Sequence, residues 1–269
     1  MRGDVITKSI NWDDLLSNIK SAYFFRIIFF WLTIVCFDDL VSVPLLLQIN
    51  LPDWILQIPF KGLEILAAIF ANHWLTKQSV CWQTKVGANS RFFIGSLVLI
   101  SVLTGFQHRG RLAVAIVEGI SVLSEDYIFR GVIFGALLTR IKVGSQKHRL
   151  LIAMIGSSLL FALYHIGNAR GIGLYPTFLQ MIGAFGLGCL FNALYVRKTS
   201  LIFPMVLHGT LDYLSTLMWG RTTMVSPGTT LFTVLISMGI TILIAMIVLR
   251  PVGNSDLQRF IGQLDGGRT

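Results

Sequence analysis

The segment Ser124-Glu125-Asp126-Tyr127-Ile128-Phe129-Arg130-Gly131 places three charged residues inside one of the most apolar regions of the chain. Charged side chains at membrane depth are costly, and they normally face the protein interior or a water-filled cavity. If the segment is helical, Asp126 and Arg130 lie one turn apart and can form an ion pair. Glu125 then points about 100° away from Asp126 and is left without that partner. We therefore predict that Glu125 is an unpaired buried carboxylate that can act as a base.

The composition indicates an integral membrane protein. The chain has 269 residues, of which 54% are hydrophobic and 13% charged, and its mean hydropathy is +0.71. Soluble domains carry about 25% charged residues. The formal net charge is +9, but the basic residues cluster between apolar runs, whereas nucleic-acid binding needs a basic face on a folded domain. We therefore expect membrane lipid as the surroundings and no nucleic-acid partner.

The three cysteines, Cys36, Cys81 and Cys189, do not suggest a disulfide framework. An odd number cannot pair completely within the chain, and no metal-binding Cys-x-x-Cys spacing occurs. Two of them lie in apolar runs and one in a basic loop. We expect all three to be small packing residues.

Eight apolar runs follow one another along the chain, and a helix needs about 20 residues to cross a bilayer. The runs are 22–49, 54–76, 92–107, 112–139, 150–166, 174–196, 200–219 and 228–250. The sequence therefore predicts an all-α polytopic transmembrane helix bundle of about eight spans over residues 22–250.

Polar segments flank this predicted bundle. Residues 1–21 contain an amphipathic pattern typical of an interfacial helix, and residues 251–269 form a polar cytoplasmic tail with a second amphipathic stripe. Basic residues in alternate loops place both termini in the cytoplasm by the positive-inside rule. We expect the protein in a bacterial plasma membrane.

Two further groups of polar residues lie in apolar runs. His165 ends the fifth run, while His208 and Asp212 lie four residues apart on the seventh and so share a helix face. At a rise of 1.5 Å per residue, Glu125 and His165 lie roughly 22 Å from the cytoplasmic ends of their runs, Asp212 about 18 Å and His208 about 12 Å. These depths overlap within the tilt of real helices, which predicts one shared, water-containing cavity.

This set of residues suits hydrolysis, which needs a water, a base and donors for an oxyanion. Glu125 is the predicted base, and His165 holds the water or binds a metal. His208 donates a hydrogen bond to the oxyanion, with Asp212 orienting it. A second version places Zn²⁺ between His165, His208 and a carboxylate such as Glu125, with an open position for water. The residues leave both versions open, with zinc or with no cofactor.

Structural roles compete with these functional ones. The pair of Asp126 and Arg130 is favoured as a stabilising ion pair over a catalytic one. Phe161 is expected to pack, and Lys61 and Glu64 are expected to pair with each other because they lie three residues apart.

These motifs resemble those of the CAAX protease and bacteriocin-processing (CPBP, or Abi) intramembrane proteases, which include the type II CAAX prenyl endopeptidases. The family motif Glu-Glu-x-x-x-Arg is similar to residues 125–130, Phe-x-x-x-His to residues 161–165, and His-x-x-x-Asn or Asp to residues 208–212. The resemblance covers about 112–219. Asp126 departs from the second glutamate of the family, keeping the charge on a shorter arm.

The resemblance implies a four-helix catalytic core at about 112–219. It assigns water activation to Glu125, positioning of the water or a metal to His165, and oxyanion stabilisation to His208 and Asp212. Asp126 and Arg130, together with Phe161, are accessory. The implied substrate is a membrane-associated or lipidated peptide.

Two other functions are compatible with these motifs. Some members of the family are immunity or regulatory proteins, so a non-catalytic regulator of the same fold is the alternative. A transporter is the third hypothesis, and it predicts a polar path through both leaflets that includes Asp38 and Glu64. The sequence gives no oligomeric state.

Overall fold

The structure is a computed structural model that describes residues 22–82, 87–220 and 228–266. Every regular element in these ranges is a helix, so the all-α prediction is confirmed. The interfacial helix predicted within residues 1–21 lies outside the described residues.

We number the helices of more than ten residues in the described ranges from α1 to α9. They are α1 Ala22–Phe37, α2 Asp53–Ala71, α3 Ala88–Gln107, α4 Leu112–Asp126, α5 Gln146–Tyr164, α6 Leu174–Lys198, α7 Ile202–Trp219, α8 Leu231–Leu249 and α9 Asn254–Leu264.

Three of these helices continue through π-helical turns. Helix α1 passes through Asp38–Ser42 into Val43–Leu46, and α2 ends in Asn72–Thr76. Helix α4 continues through Tyr127–Phe134 into Gly135–Arg140. A π turn rotates the following residues relative to a regular α-helix, and such turns occur frequently at functional sites. The longest of them begins directly after Glu125 and Asp126.

Six helices in the described ranges are long and apolar enough to cross a membrane. They are Tyr23–Leu46, Asp53–Thr76, Ala88–Gln107, Gln146–Ile172, Leu174–Lys198 and Leu231–Leu249. The other two predicted runs form α4 and α7, which are helical but carry the motif residues. The polar and charged residues of the site lower the hydropathy of these two helices, so they are not among the six candidate spans. Eight spans therefore remain a prediction.

The three motif-bearing helices, α4, α5 and α7, pack together with α6 at the centre of the bundle. Helix α6 packs against α5, α7 and α8, and α4 packs against α7, α2 and, through its π turn, α5. In α6, 72% of the most apolar stretch is buried, compared with 6% in α3, which contacts α7. Helix α6 is thus the most buried of the candidate spans in the described residues, and α3 is the least buried.

Helix α9 lies against the bundle rather than apart from it. Leu257, Phe260 and Leu264 are buried in the main hydrophobic core. Gln78 Nε2 also donates a hydrogen bond of 2.8 Å to the Leu264 carbonyl oxygen. The interfacial stripe predicted in the tail therefore packs on protein, because an apolar helix face suits a protein surface as well as a lipid surface.

Helices α4 and α7 approach each other closely at two glycines. A Cβ atom on Gly209 would overlap the carbonyl oxygen of Gly119, and one on Gly119 would lie 2.9 Å from the carbonyl oxygen of Gly209. No side chain fits between the two backbones at this crossing. The contact holds His208, the residue before Gly209, against α4.

Gly209→Ala is expected to lower the free energy of unfolding by about 1–3 kcal/mol, because the added methyl group overpacks this crossing. Gly239→Ala on α8 is the matched control, since no described atom lies within 4 Å of a Cβ there. Unfolding of the purified variants in detergent measures both. Equal stability of the two variants would contradict the close crossing.

Candidate active site

One cavity of about 510 Å³ contains all four predicted catalytic residues. Glu125 lines it from α4, His165 from the turn after α5, and His208 and Asp212 from α7. The structure thus brings together side chains that are up to 87 positions apart in the chain (212 minus 125). Residues of α1 and the π turn after it, of α2 and of α6 complete its wall. They include Trp31, Asp38, Gln57, Lys61, Gln180 and Ala184.

Glu125 has a partner that the sequence analysis did not assign to it. Lys61 Nζ lies 2.9 Å from Oε1 of Glu125 and 2.8 Å from Oε2 of Glu64. The predicted pair of Lys61 and Glu64 is confirmed, whereas the prediction that Glu125 is unpaired is wrong. The partner comes from a different helix, α2, and the geometry of α4 alone carries no information about it.

His165 has one ring nitrogen fixed by the backbone. Its Nδ1 lies 2.9 Å from the carbonyl oxygen of Phe161. A carbonyl oxygen only accepts, so Nδ1 carries the hydrogen and the neutral ring leaves Nε2 as an acceptor. His165 begins the 3₁₀ turn His165–Asn168 at the end of α5. An acceptor in this position suits a bound water.

His208 lies between two carboxylates. Its Nδ1 is 3.3 Å from Oδ2 of Asp126, and its Nε2 is 3.9 Å from Oδ2 of Asp212. The first contact orients the ring with Nδ1 as the donor. The second exceeds hydrogen-bond length, so the Asp212 contact leaves Nε2 available to another partner. Phe191 supports the ring at a centroid distance of 4.6 Å.

Asp126 and Arg130 form the predicted ion pair, which is confirmed. Arg130 Nε lies 3.2 Å from Oδ1 of Asp126, and both residues are fully buried. The guanidinium nitrogens make no well-aligned hydrogen bond to a described residue. Instead, the guanidinium carbon lies 3.9 Å from the ring centroid of Phe161 and 4.9 Å from that of Phe191. Two aromatic faces therefore supplement a single carboxylate in holding this cation.

Phe161 contacts three other motif residues. Its ring meets the His165 ring edge-on at 4.9 Å and the His208 ring at 5.9 Å, while one face holds Arg130. Its carbonyl oxygen also fixes His165. The accessory role implied for this position is consistent with contacts to three other motif residues.

The donors do not fit the zinc version of the site. In the parts of the chain that the structure describes, no three His, Cys, Asp or Glu side chains are grouped to hold a metal ion. The Nδ1 atoms of His165 and His208 face Phe161 and Asp126, so only their two Nε2 atoms could bind a metal. The third ligand of the zinc version is the Glu125 carboxylate, which the Lys61 ammonium already contacts at 2.9 Å. A cation at that carboxylate opposes a second cation beside it. This donor set therefore supports no chemical step through a metal.

A network behind Glu125 was missed as part of the site. Glu64 is fully buried and accepts hydrogen bonds from Ser124 Oγ at 2.6 Å and from Tyr164 OH at 2.5 Å. Tyr164 OH also lies 2.7 Å from Oδ2 of Asp38. The available signal was the one that singled out Glu125, namely ionisable residues inside an apolar run. It was present at Lys61 and Glu64 but was interpreted as a local pair.

The cysteines lie outside the cavity. All three are free thiols, with Cys36 exposed, Cys81 half-buried and Cys189 buried. Burial raises the pKa of the Cys81 thiol above its ordinary value, so this loop residue carries little thiolate at neutral pH. Their packing role remains the simplest interpretation.

Comparison with known proteins finds two matches. Residues 110–214 match the family model described as type II CAAX prenyl endopeptidase Rce1-like. The membrane-embedded CAAX protease MroQ of Staphylococcus aureus (strain USA300) is 38% identical over 89 residues, which cover 33% of this chain and 32% of MroQ. The match thus spans about a third of that relative's length. No solved structure matches the chain significantly. The two matches confirm the resemblance to the CPBP intramembrane proteases, and the family match includes every motif residue from Glu125 to Asp212.

Asp126→Asn is expected to destabilise the protein by about 3–5 kcal/mol, because it leaves Arg130 buried without its counter-charge. The double variant Asp126→Asn/Arg130→Met removes both charges and is expected to recover most of this loss. Asp39→Asn is the control, since Asp39 pairs with Arg170 through partly exposed side chains and such pairs contribute about 1 kcal/mol or less. Unfolding in detergent measures all three. A double variant as unstable as the single one would contradict the interpretation.

Proposed function

We propose that this chain, whose residues 110–214 carry a core of the CPBP intramembrane protease type, is an intramembrane endopeptidase. It hydrolyses a peptide bond of a membrane-associated or lipidated peptide with a water activated by Glu125. The observation that supports this most directly is the convergence of Glu125, His165, His208 and Asp212 on one cavity. Together they offer the base, the water acceptor and the oxyanion donor that hydrolysis needs.

The first step of the proposed reaction is attack by water. Lys61 contacts Oε1 of Glu125, and we assign Oε2 as the base. One hydrogen of the water passes to Glu125, while the other stays on the oxygen and makes a hydrogen bond to Nε2 of His165. The water oxygen attacks the scissile carbonyl carbon, and a tetrahedral oxyanion forms.

The second step is collapse of this intermediate. His208 donates from a protonated Nε2 to the oxyanion, and the carboxylates of Asp126 and Asp212 stabilise the protonated ring. Glu125 then returns its proton to the leaving nitrogen, the carbon–nitrogen bond breaks, and a carboxylic acid and an amine form. The acid passes its proton to the amine, so the final products are a carboxylate and an ammonium group. The low dielectric of the bundle strengthens each of these interactions relative to water.

The cavity wall supports a peptide substrate with an apolar part. Trp31, Val35 and Val43 line it from α1 and its continuation, and Phe60 lines it from α2. These side chains suit an apolar or lipidated residue, while Asp39 and Arg170 at the same cavity suit the peptide backbone and its polar groups. We further propose that both termini are cytoplasmic, on the distribution of basic loops. The match to MroQ of Staphylococcus aureus supports a bacterial plasma membrane as the proposed location.

Glu125→Gln and His165→Ala are each expected to lower the rate of peptide cleavage by about 100- to 10,000-fold, because one removes the base and the other the acceptor for the water. Mass spectrometry of peptides in membranes carrying the wild type or each variant detects the processed species. Asp256→Asn, an exposed position on α9, is the control and is expected to behave as the wild type.

The same comparison separates the peptidase from a non-catalytic regulator. The contact of Lys61 with Glu125 is the observation that favours a regulator, since an ion-paired carboxylate is less available to act as a base. If both variants process the same peptides as the wild type, the peptidase proposal fails and the regulator is favoured.

Removal of metal is expected to leave cleavage unchanged. The described residues offer no grouped donors for a metal ion, so dialysis of the active protein against a chelator should not alter its rate. Elemental analysis of the active preparation should find zinc well below one equivalent. Loss of activity on dialysis that is restored by Zn²⁺ would contradict this expectation and favour the zinc version.

A further inference from the structure

We propose that Lys61 and Glu64 of α2 are positioning residues of the active site, in which Lys61 orients the Glu125 carboxylate and Glu64 sets the register of the two helices that carry Glu125 and His165. This inference rests on the proposed peptidase function. Helix α2 lies outside residues 110–214, so the pair is supplied by a part of the chain beyond the family match.

Glu64 binds the residue that precedes each of two catalytic side chains. Its Oε2 accepts from Ser124 Oγ at 2.6 Å, and its Oε1 accepts from Tyr164 OH at 2.5 Å. Ser124 comes directly before Glu125 on α4, and Tyr164 comes directly before His165 on α5. A shift of either helix by one residue would break one of these bonds and leave a buried polar group unsatisfied. One carboxylate thus fixes both helices at the level of the cavity.

Lys61 binds the catalytic carboxylate itself. Its ammonium lies between Glu64 Oε2 at 2.8 Å and Glu125 Oε1 at 2.9 Å. Lys61 and Glu125 both line the cavity, and their side chains are 12% and 15% exposed. The terminal torsion of a glutamate is soft and roughly two-fold. A fixed donor on Oε1 therefore selects one orientation and directs Oε2, the proposed base.

Asp38 extends this network to the π turn that follows α1. Tyr164 OH lies 2.7 Å from Oδ2 of Asp38 as well as 2.5 Å from Glu64. A phenol has a single hydrogen, so both contacts are hydrogen bonds only when one of the two carboxyl groups holds a proton. With that proton in place, the network joins α2 to the π turn after α1 on one side and to the motif helices on the other.

A purely structural ion pair would predict a different pattern of effects. Lys61→Met leaves Glu64 and Glu125 facing each other without a cation, so this variant loses stability under either interpretation. The double variant Lys61→Met/Glu64→Gln removes the cation and one carboxylate together. The amide oxygen introduced at position 64 still accepts a hydrogen bond, and the fold is expected to be retained. A structural role predicts that this variant regains activity, whereas a positioning role predicts that it does not.

The first test is chemical and does not need a substrate. Dicyclohexylcarbodiimide reacts with buried carboxyl groups, and the Lys61 ammonium, 2.9 Å from Oε1, occupies the Glu125 carboxylate in the wild type. Peptide mapping after treatment is expected to show about tenfold more adduct on Glu125 in Lys61→Met and in the double variant than in the wild type. Lys61→Arg keeps the cation and is expected to stay near the wild type. Lys198→Met is the matched control. Lys198 Nζ lies 3.0 Å from the Ser90 hydroxyl oxygen, and neither residue lines the cavity.

The second test is kinetic, in proteoliposomes, with a peptide whose processing the Glu125→Gln comparison identifies. The double variant is expected to lose about 100-fold in kcat, since a misplaced catalytic group costs rate on this scale, with little change in KM. Lys61→Arg is expected to restore much of kcat, and Lys198→Met to match the wild type.

The outcomes separate the two proposals. Equal labelling of Glu125 in all variants overturns the Lys61 contact, whatever the chain catalyses. Increased labelling with an unchanged kcat overturns the positioning role but leaves the peptidase proposal intact. If no peptide depends on Glu125, the proposed function fails, and the positioning role, which rests on it, fails too. In that case the labelling decides only whether Lys61 engages Glu125.

Discussion

The buried ion pair of Asp126 and Arg130 is the interaction on which the rest of the structure depends. Arg130 extends from α4 to the rings of Phe161 on α5 and Phe191 on α6, while Asp126 also contacts His208 on α7. Four helices therefore meet at one pair of charges. An unpaired charge at this depth would cost several kcal/mol, so the helices are constrained to arrangements in which all these contacts form together.

This constraint also places the cavity. Consecutive residues of a helix point about 100° apart, so once Asp126 faces the core, Glu125 faces the space between α2, α5 and α7. The ion pair also holds Phe161 and His208. His165 lies four residues after Phe161, and Asp212 lies four residues after His208, so both face the same space. The position of the site thus follows from the packing of α4 to α7. Lys61, the partner of Glu125, lies on α2, which is outside these four helices.

Local patterns predicted much of this structure, and contacts between distant segments account for what they missed. Charges within apolar runs identified the motif helices, and the i, i+4 spacing identified the pair of Asp126 and Arg130. The contact of Lys61 with Glu125 joins residues 64 positions apart, and no periodicity within one helix reports it. The docking of α9 was missed for a similar reason, since an amphipathic stripe does not specify what covers it. The π turn after Asp126 has no recognised composition signal and was not predicted.

The central claim is that these side chains surround a water-accessible cavity inside an apolar bundle. Cysteine accessibility tests it directly, in a background in which the three native cysteines are replaced. Ser121→Cys lies in the cavity wall, and Ser237→Cys lies on an exposed face of α8. A hydrophilic methanethiosulfonate reagent reacts with thiolate in water, so in intact membranes it is expected to modify Ser121→Cys and spare the lipid-facing Ser237→Cys. Protection of Ser121→Cys to the same extent as Ser237→Cys would contradict the account.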